Sequence, residues 1–208
     1  MPMPYRIETE RLVLRCYQPV DAPLLKATID ASLEHLSIWM PWATQHEPTP
    51  LETKIQRLRR MRGDFDLDKD YNFGIFNLDE TLLLGGTGLH PRLGAGVLEI
   101  GYWMHADYCN QGYAREATGA LTQVAFENMG VTRVEIHCNP ANQASFAIPR
   151  RLGYHHRETR ITREEPPSDK VYESMIWELS QAGFELSRQA GESFRRALAR
   201  FDSTGASL

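Results

Sequence analysis

Apolar and polar residues alternate along several short segments of the chain, the period expected of strands with one buried face. In the segment from Arg133 to Cys138, Val134 and Ile136 alternate with polar side chains. The same pattern predicts strands at Leu12 to Leu14, Tyr71 to Asn77, Thr81 to Leu89, Val97 to Met104, Tyr154 to Arg163 and Val171 to Glu178. The three strands between Tyr71 and Met104 are expected to be antiparallel neighbours, because short turns join them.

Apolar residues three or four positions apart mark the helices. One such stripe runs from Leu51 to Phe65 and a second from Ala114 to Ala125. Shorter helices are predicted from Pro23 to Asp30 and from Asn142 to Leu152. A last helix is predicted over residues 180–201, where helical spacing relates Phe194, Ala197, Leu198 and Phe201. We expect this helix to dock on its own domain, with a dimer contact as the alternative.

The order of these elements is strand, helices, three strands, helix, strand, helix and two strands. That order predicts an α+β fold with a mixed, largely antiparallel sheet of about seven strands, flanked by helices. The 208 residues are enough for one domain with an appendage. We assign residues 1–179 to the domain and residues 180–208 to a C-terminal helical extension.

Composition narrows the class of protein. A net charge of −4 argues against a general nucleic-acid binder, and no apolar run is long enough to span a membrane. The three cysteines are odd in number and widely spaced, which fits neither a disulfide framework nor a zinc site. The run Asp64-x-Asp66-x-Asp68 resembles a calcium loop, but Lys69 replaces the needed Gly and Ile75 the terminal Glu, so we expect no metal. A soluble, cytoplasmic protein is the simplest interpretation.

The segment from Tyr108 to Ala117 is the strongest candidate for chemistry. It lies between a predicted strand and a predicted helix, so it forms a tight loop at a helix N-terminus. Such a terminus presents unpaired N–H groups and the positive end of the helix dipole, and both attract phosphate. Gly112 allows a ligand to approach the backbone closely. An ordinary strand-to-helix turn is the alternative.

A second segment, about thirty residues later, contains another motif that helps to interpret the loop. It contains Asn142 and Ser145 and is followed by Leu152-Gly153-Tyr154. With both segments in view, the chain resembles the GCN5-related N-acetyltransferases (GNAT). Their central motif reads Gln/Arg-x-x-Gly-x-Gly/Ala; Gly112 and Ala114 match its second half, while Cys109 occupies the Gln/Arg position.

Three further segments are similar to one branch of that family, the enzymes that acetylate N-terminal alanine or serine of ribosomal proteins. They are Thr9 to Arg15, Trp39 to Trp42 and Glu99 to Trp103. Relatives with this signature acetylate many different amines, so the branch alone does not fix the acceptor.

The resemblance implies a fold, a donor and a set of donor-binding residues. The fold would be the GNAT fold with an extra C-terminal helix, and the donor would be acetyl-CoA. Backbone amides of the loop would hold the pyrophosphate, and Asn142 would face the pantetheine. The expected donor-binding residues are Trp103, Met104, His105, Gln111, Gly112, Tyr113, Ala114, Arg115, Asn142 and Ser145.

Direct attack by an amine on a thioester poses two proton problems, because the amine must lose a proton and the leaving thiolate must gain one. Glu99 is the candidate base, either directly or through a water; the alternative is that it only orients substrate or forms an ion pair. The branch suggests Ser145 as the candidate acid; the alternatives are a pantetheine hydrogen bond or a helix cap. A backbone N–H near Met104 would polarise the thioester oxygen.

The acceptor side is expected to be formed by Trp39, Trp42, His90 and Glu99, since flat aromatic walls exclude water from a small substrate. Three functions remain open. The first is acetylation of the N-terminal amine of a peptide or protein. The second is acetylation of a polyamine, an antibiotic or an amino-acid-like metabolite. The third is a non-catalytic acyl-CoA-binding module. The expected partner is therefore an amine acceptor, with no nucleic acid, no membrane and a homodimer as an open alternative.

Overall fold

The computed structural model describes residues 3–43, 49–163, 171–190 and 200–202. The described strands are β1 (Arg6–Glu8), β2 (Leu12–Cys16), β3 (Tyr71–Asn77), β4 (Leu83–His90), β5 (Val97–Met104), β6 (Arg133–Cys138), β7 (His155–Arg163), β8 (Val171–Ser180) and β9 (Arg200–Asp202). The described α-helices are α1 (Ala22–Ala31), α2 (Leu33–Ser37), α3 (Leu51–Asp66), α4 (Tyr113–Glu127), α5 (Gln143–Arg151) and α6 (Gln181–Ala190).

All the described strands belong to one sheet, in the order β7-β8-β6-β5-β4-β3-β2-β1-β9. Every neighbouring pair in it is antiparallel except β5 and β6, which are parallel. The prediction of a mixed, largely antiparallel sheet flanked by helices is therefore confirmed. All seven predicted strands are present, and the three-residue strands β1 and β9 extend the sheet at one edge.

The single parallel pair creates an opening in the sheet. β5 and β6 are paired only where Val97, Leu98 and Glu99 lie opposite residues 133–135. Beyond that point β5 continues to Met104 alongside β4, and β6 continues to Cys138 alongside β8. Among the described strands, the second half of β5 therefore has no partner on its β6 side.

Two apolar clusters cover the two faces of the sheet. On one face, Leu98, Ile100 and Met104 of β5 belong to a cluster with Leu121 of α4. On the other face, Trp103 packs against a cluster formed by β2, β3, β4, α1, α2 and α3. Side chains alternate along a strand, so β5 contributes to both clusters and fixes the opening between them.

The C-terminal helix predicted from the sequence is confirmed over α6 (Gln181–Ala190), but it does not include Phe201. Phe201 lies in β9, opposite Ile7 of β1. The helical interpretation of Phe201 was wrong because the edge of a sheet offers unpaired backbone groups, and β9 pairs with those of β1. The other residues of that stripe, Phe194, Ala197 and Leu198, lie outside the described residues.

Helix α6 packs on α4 of the same chain. Phe184 is fully buried, and its ring stacks on Phe126 of α4 with centroids 4.9 Å apart. Arg188 also pairs with Glu127 at the end of α4, at 3.0 Å. Within the described residues, no helix is long and apolar enough to cross a bilayer. The boundary between residues 179 and 180 stays a prediction.

Glu116, in the first turn of α4, holds the chain before β2 against this helix. Its carboxylate accepts hydrogen bonds from the hydroxyl of Thr9 at 2.7 Å, from the backbone N–H of Arg11 at 3.0 Å and from Nε of Arg11 at 2.7 Å. The Glu116 side chain is only 3% exposed. A buried carboxylate is tolerated when its oxygens are fully hydrogen-bonded and paired with a cation, and here both conditions hold.

Replacing Glu116 with alanine removes the acceptor of three hydrogen bonds and leaves Arg11 unpaired. We expect Glu116→Ala to lower the free energy of unfolding by about 2–3 kcal/mol. Urea denaturation followed by circular dichroism measures this change. Glu10→Ala is the matched control, because Glu10 is an exposed neighbour and its loss should stay within about 0.5 kcal/mol. Equal midpoints for the two variants would contradict the role of Glu116.

Candidate active site

The loop before α4 has the geometry of an anion-binding site. Gly112 precedes the first turn of the helix with a φ of 85°, a left-handed conformation that glycine adopts without strain. The first N–H groups of the helix, from Tyr113 onward, have no partner inside it. Arg11 adds a positive charge here: its guanidinium donates to the carbonyl of Gln111 at 3.2 Å and lies 4.5 Å from the ring centre of Tyr113.

A cavity of about 790 Å³ extends from this loop to the opening between β5 and β6. Its lining includes nine of the ten donor-binding residues expected from the sequence, namely Trp103, Met104, Gln111, Gly112, Tyr113, Ala114, Arg115, Asn142 and Ser145. His105 is the tenth, and it is absent from the lining as described. Its ring accepts a hydrogen bond from the N–H of Asp107 at 3.1 Å. We refer to this space as the donor cavity.

Two loop residues use their side chains within the protein. The amide of Gln111 donates to the carbonyl of Asp107 at 2.7 Å, which closes the loop. The thiol of Cys109 lies 3.4 Å from Nε2 of His35 on α2, and burial raises the pKa of this thiol. Anion binding at the loop therefore depends on its backbone N–H groups rather than on these two side chains.

The backbone of Met104 faces the opening. The N–H of His105 donates to the carbonyl of Leu84 on β4 at 2.8 Å. Successive N–H groups of a strand point to opposite sides, so the N–H of Met104 points away from β4. It is directed towards the side where β5 has no partner strand, which agrees with the oxygen-polarising role expected for it.

Ser145 and Tyr102 meet at the inner end of the donor cavity. The hydroxyl of Tyr102 donates to the carbonyl of Ser145 at 3.0 Å and lies 3.1 Å from its Oγ. Burial raises the pKa of Tyr102 far above its ordinary value, so its hydroxyl stays protonated. The helix cap is supplied by Asn142, whose Oδ1 accepts from the N–H of Ser145 at 3.0 Å. The Oγ of Ser145 is therefore not used as a cap.

A second cavity of about 990 Å³ adjoins the first, and we call it the acceptor cavity. It contains all four residues expected on the acceptor side, Trp39, Trp42, His90 and Glu99. Residues common to the linings of both cavities are Trp39, Met40, Tyr102, Trp103, Asn142 and Ser145. A donor and an acceptor placed in the two cavities would thus meet beside Tyr102 and Ser145.

Two glycines line the acceptor cavity at positions where a side chain would crowd the neighbouring rings. Gly86 and Gly101 belong to its lining and lie on β4 and β5. A Cβ added at Gly86 would come within 2.4 Å of Nε1 of Trp103, and one at Gly101 would come within 3.3 Å of Nε2 of His90. His90 is held there by Asp70, whose carboxylate lies 2.6 Å from Nδ1. The glycines leave room for the indole and imidazole rings that border the cavity.

Glu99 forms an ion pair with Arg92 through two hydrogen bonds, one of them 2.8 Å from Nε. His137 lies on its other side, with Nδ1 3.7 Å from the carboxylate. Burial alone would raise the pKa of Glu99, but the hydrogen bond from Arg92 and the charges of His137, Arg92 and His90 outweigh it and lower the pKa. Glu99 is therefore ionised at neutral pH.

Three residues that line the acceptor cavity were not predicted from the sequence: Arg92, Tyr102 and His137. Tyr102 and His137 were visible only as strand residues, and Arg92 lies in the turn between β4 and β5. Tyr102 lies inside the segment Glu99 to Trp103 that carries the family resemblance, which is the one signal that could have indicated it.

Removing the cation beside Glu99 should change the pH dependence of the site. In Arg92→Met the hydrogen bond that lowers the pKa of Glu99 is lost while burial, which raises it, remains. We expect Glu99 to become protonated at a higher pH. If Glu99 must be ionised for activity, the acid limb of kcat/KM against pH moves upward, which acetyl transfer assays between pH 5 and 9 measure.

Arg150→Met serves as the control, because Arg150 lies on the exposed side of α5. Its profile should match that of the wild type. Coincident acid limbs for Arg92→Met and the wild type would show that the ionisation of Glu99 does not limit the reaction.

Comparison with known proteins identifies the domain. A family model described as "Acetyltransferase (GNAT) domain" matches residues 11–155. "Uncharacterized N-acetyltransferase YnaD" of Bacillus subtilis (strain 168) is 30% identical over 86 residues, covering 41% of this chain and 51% of that protein. The chain thus spans about half the length of YnaD.

Two further proteins are similar over more of their length. "Putative ribosomal N-acetyltransferase YdaF" of Bacillus subtilis (strain 168) is 29% identical over 148 residues, covering 70% of this chain and 78% of that protein. The solved structure of "a putative ribosomal-protein-serine acetyltransferase from Vibrio cholerae" has a TM-score of 0.70 at 26% identity and covers 86% of this chain and 99% of its own. The match of the family model over most of the chain shows that this protein belongs to the GNAT acetyltransferase family, whose members take their acetyl group from acetyl-CoA.

Proposed function

We propose that this protein is an N-acetyltransferase that transfers acetyl from acetyl-CoA to the N-terminal amine of a peptide or protein. The observation that carries the proposal is the meeting of two cavities beside Tyr102 and Ser145. The acceptor cavity, about 990 Å³, is large enough for several residues of a peptide. The similarity to YdaF and to the Vibrio cholerae structure supports an acceptor of this class.

The donor cavity fits the parts of acetyl-CoA in sequence. At its outer end, the N–H groups of residues 112–115 and the guanidinium of Arg11 suit the pyrophosphate. Between them and β5, Asn142 and the unpaired backbone of β5 offer hydrogen-bonding groups to the amides of the pantetheine arm. Acetyl-CoA supplies the acetyl group as a thioester, and the inner end of the cavity is where that thioester would lie.

Two groups on β5 and α5 would assist the transfer. As the amine attacks, negative charge develops on the thioester oxygen, and the N–H of Met104, directed into the opening, would stabilise it. The thiolate that leaves needs a proton, and the Oγ–H of Ser145 would donate it. The hydroxyl of Tyr102, at 3.1 Å from Oγ, would then stabilise the serine oxygen by a hydrogen bond.

Glu99 would receive the proton that the amine releases. An α-amino group has an ordinary pKa of about 8, so a fraction of the amine molecules is neutral at physiological pH and can attack without a strong base. The attacking nitrogen becomes acidic once its new bond forms, and an ionised carboxylate such as Glu99 can then accept its proton through a water. His137, at 3.7 Å, would stabilise the charge of the Glu99 carboxylate.

Thiol release from acetyl-CoA, followed over a panel of acceptors, tests the proposed function. The panel pairs Ala- and Ser-leading peptides with polyamines, aminoglycosides and free amino acids. We expect turnover with the peptides, and mass spectrometry should find the acetyl group on the α-amine. Peptides blocked at the N-terminus but carrying a lysine are the control, and they should not react.

Turnover confined to the small amines would contradict the proposed acceptor and leave the acetyltransferase chemistry in place. Binding of acetyl-CoA without transfer to any amine would contradict both.

A further inference from the structure

Tyr17 carries a buried polar group that neither the fold nor the proposed chemistry uses. The residue is 3% exposed and belongs to the lining of the acceptor cavity. Its hydroxyl has no hydrogen-bond partner among the described residues. Burial holds the pKa of Tyr17 above its ordinary value, so the hydroxyl keeps its proton and can donate. A buried hydroxyl without a partner lowers stability, which suggests that a ligand satisfies it.

Trp103 presents a second donor at the same place. A Cβ added at Gly86 would lie 2.8 Å from the oxygen of Tyr17 and 2.4 Å from Nε1 of Trp103, so both atoms lie over this glycine. An indole N–H can only donate. Position 86 has no side chain, and the indole and the phenol occupy the space that one would fill, so their two donors lie close together at this end of the acceptor cavity.

Arg57 on α3 supplies a positive charge to the same end of the cavity. Its guanidinium lies 5.8 Å from the ring centre of Trp42, which packs edge-on against Trp103 with centroids 5.8 Å apart. The charge of Arg57 acts on the nearby phenol of Tyr17, and partial burial lowers the pKa of this arginine although the residue as a whole is exposed. Among the described residues no carboxylate pairs with Arg57, whereas Arg92 in the same cavity is paired with Glu99.

Three hydrogen-bond donors therefore meet at one place: an arginine, a protonated phenol and an indole N–H. The arginine is also positively charged. A planar guanidinium binds the two oxygens of a carboxylate well. We propose that Arg57, Tyr17 and Trp103 form a subsite for a carboxylate carried by the acceptor. The subsite rests on the proposed function, because it assigns a chemical class to the acceptor of that reaction.

The subsite lies close to the point of attack, because Trp103 borders both cavities and is the neighbour of Tyr102 on β5. The α-carboxylate of a free amino acid and an acidic side chain near the N-terminus of a peptide are both short enough to reach it. Because a peptide is the acceptor in the proposed function, we assign the carboxylate to an acidic side chain early in that peptide.

Matched peptides test the subsite. Ser-leading peptides with a blocked C-terminus carry a single Glu at position two, three or four, and the reference peptide carries Gln at all three. We expect wild-type kcat/KM to be about tenfold or more higher for Glu at one of these three positions than for the reference. Free serine and serinamide form a second pair of acceptors. A higher kcat/KM for serine would identify an α-carboxylate as the group bound at the subsite.

Two variants connect the preference to the proposed residues. In Arg57→Gln the ratio of Glu to Gln peptides should fall to about one. In Tyr17→Phe the ratio should fall while the melting temperature is maintained or raised, because the lost hydroxyl had no partner among the described residues. Arg59→Gln, on the opposite side of α3 and outside the cavity lining, is the control and should keep the wild-type ratio.

The outcomes separate the subsite from the proposed function. Peptide turnover with a wild-type ratio near one at every position overturns the subsite and leaves the proposed function intact. An Arg57→Gln variant that slows Glu and Gln peptides equally also overturns it. A third outcome is turnover of serine but not of serinamide or of any peptide, with the serine activity lost in Arg57→Gln. This outcome would support the subsite and contradict the peptide acceptor.

Discussion

The early end of the β5–β6 pairing is the constraint on which the site depends. A continuous sheet would use the N–H groups of β5 for strand pairing and would leave no space between the helices on its two faces. Because the pairing stops after Glu99, the N–H of Met104 and the side chains of Tyr102 and Trp103 border cavities instead. The two cavities meet here, so one geometric feature provides both a place for the donor and a place for attack.

An arginine lies at each end of the site, and each arginine pairs with a buried carboxylate. At the pyrophosphate end, Glu116 uses Arg11 to fasten the start of α4, and the same arginine remains close to the anion site. At the acceptor end, Arg92 keeps Glu99 ionised despite its burial. Both carboxylates are buried and paired, but Glu99 lines a described cavity and Glu116 lines neither, so the proposed chemical role belongs to Glu99 alone.

Local patterns in the sequence were sufficient for the sheet, the main helices and the loop at Gly112. Strand alternation and helical stripes depend on neighbouring residues, so the bounds of β5 and β6 were obtained directly. Pairs such as Arg11 with Glu116, more than a hundred residues apart, arise only when the fold brings them together. The five-residue helix α2 is too short for a detectable period, and β9 depends on the exposed edge of β1.

The central claim is that the backbone of the loop and of β5 binds the donor, and an amide-resolved NMR titration with CoA tests it most directly. We predict the largest shifts of ¹H–¹⁵N signals at residues 112–115, where the pyrophosphate would be bound, and at Met104 beside the thiol end. Signals of β1 and β9, at the edge of the sheet away from β5, should change little. Saturable binding that leaves residues 112–115 and Met104 unmoved, with the largest shifts elsewhere, would contradict the claim.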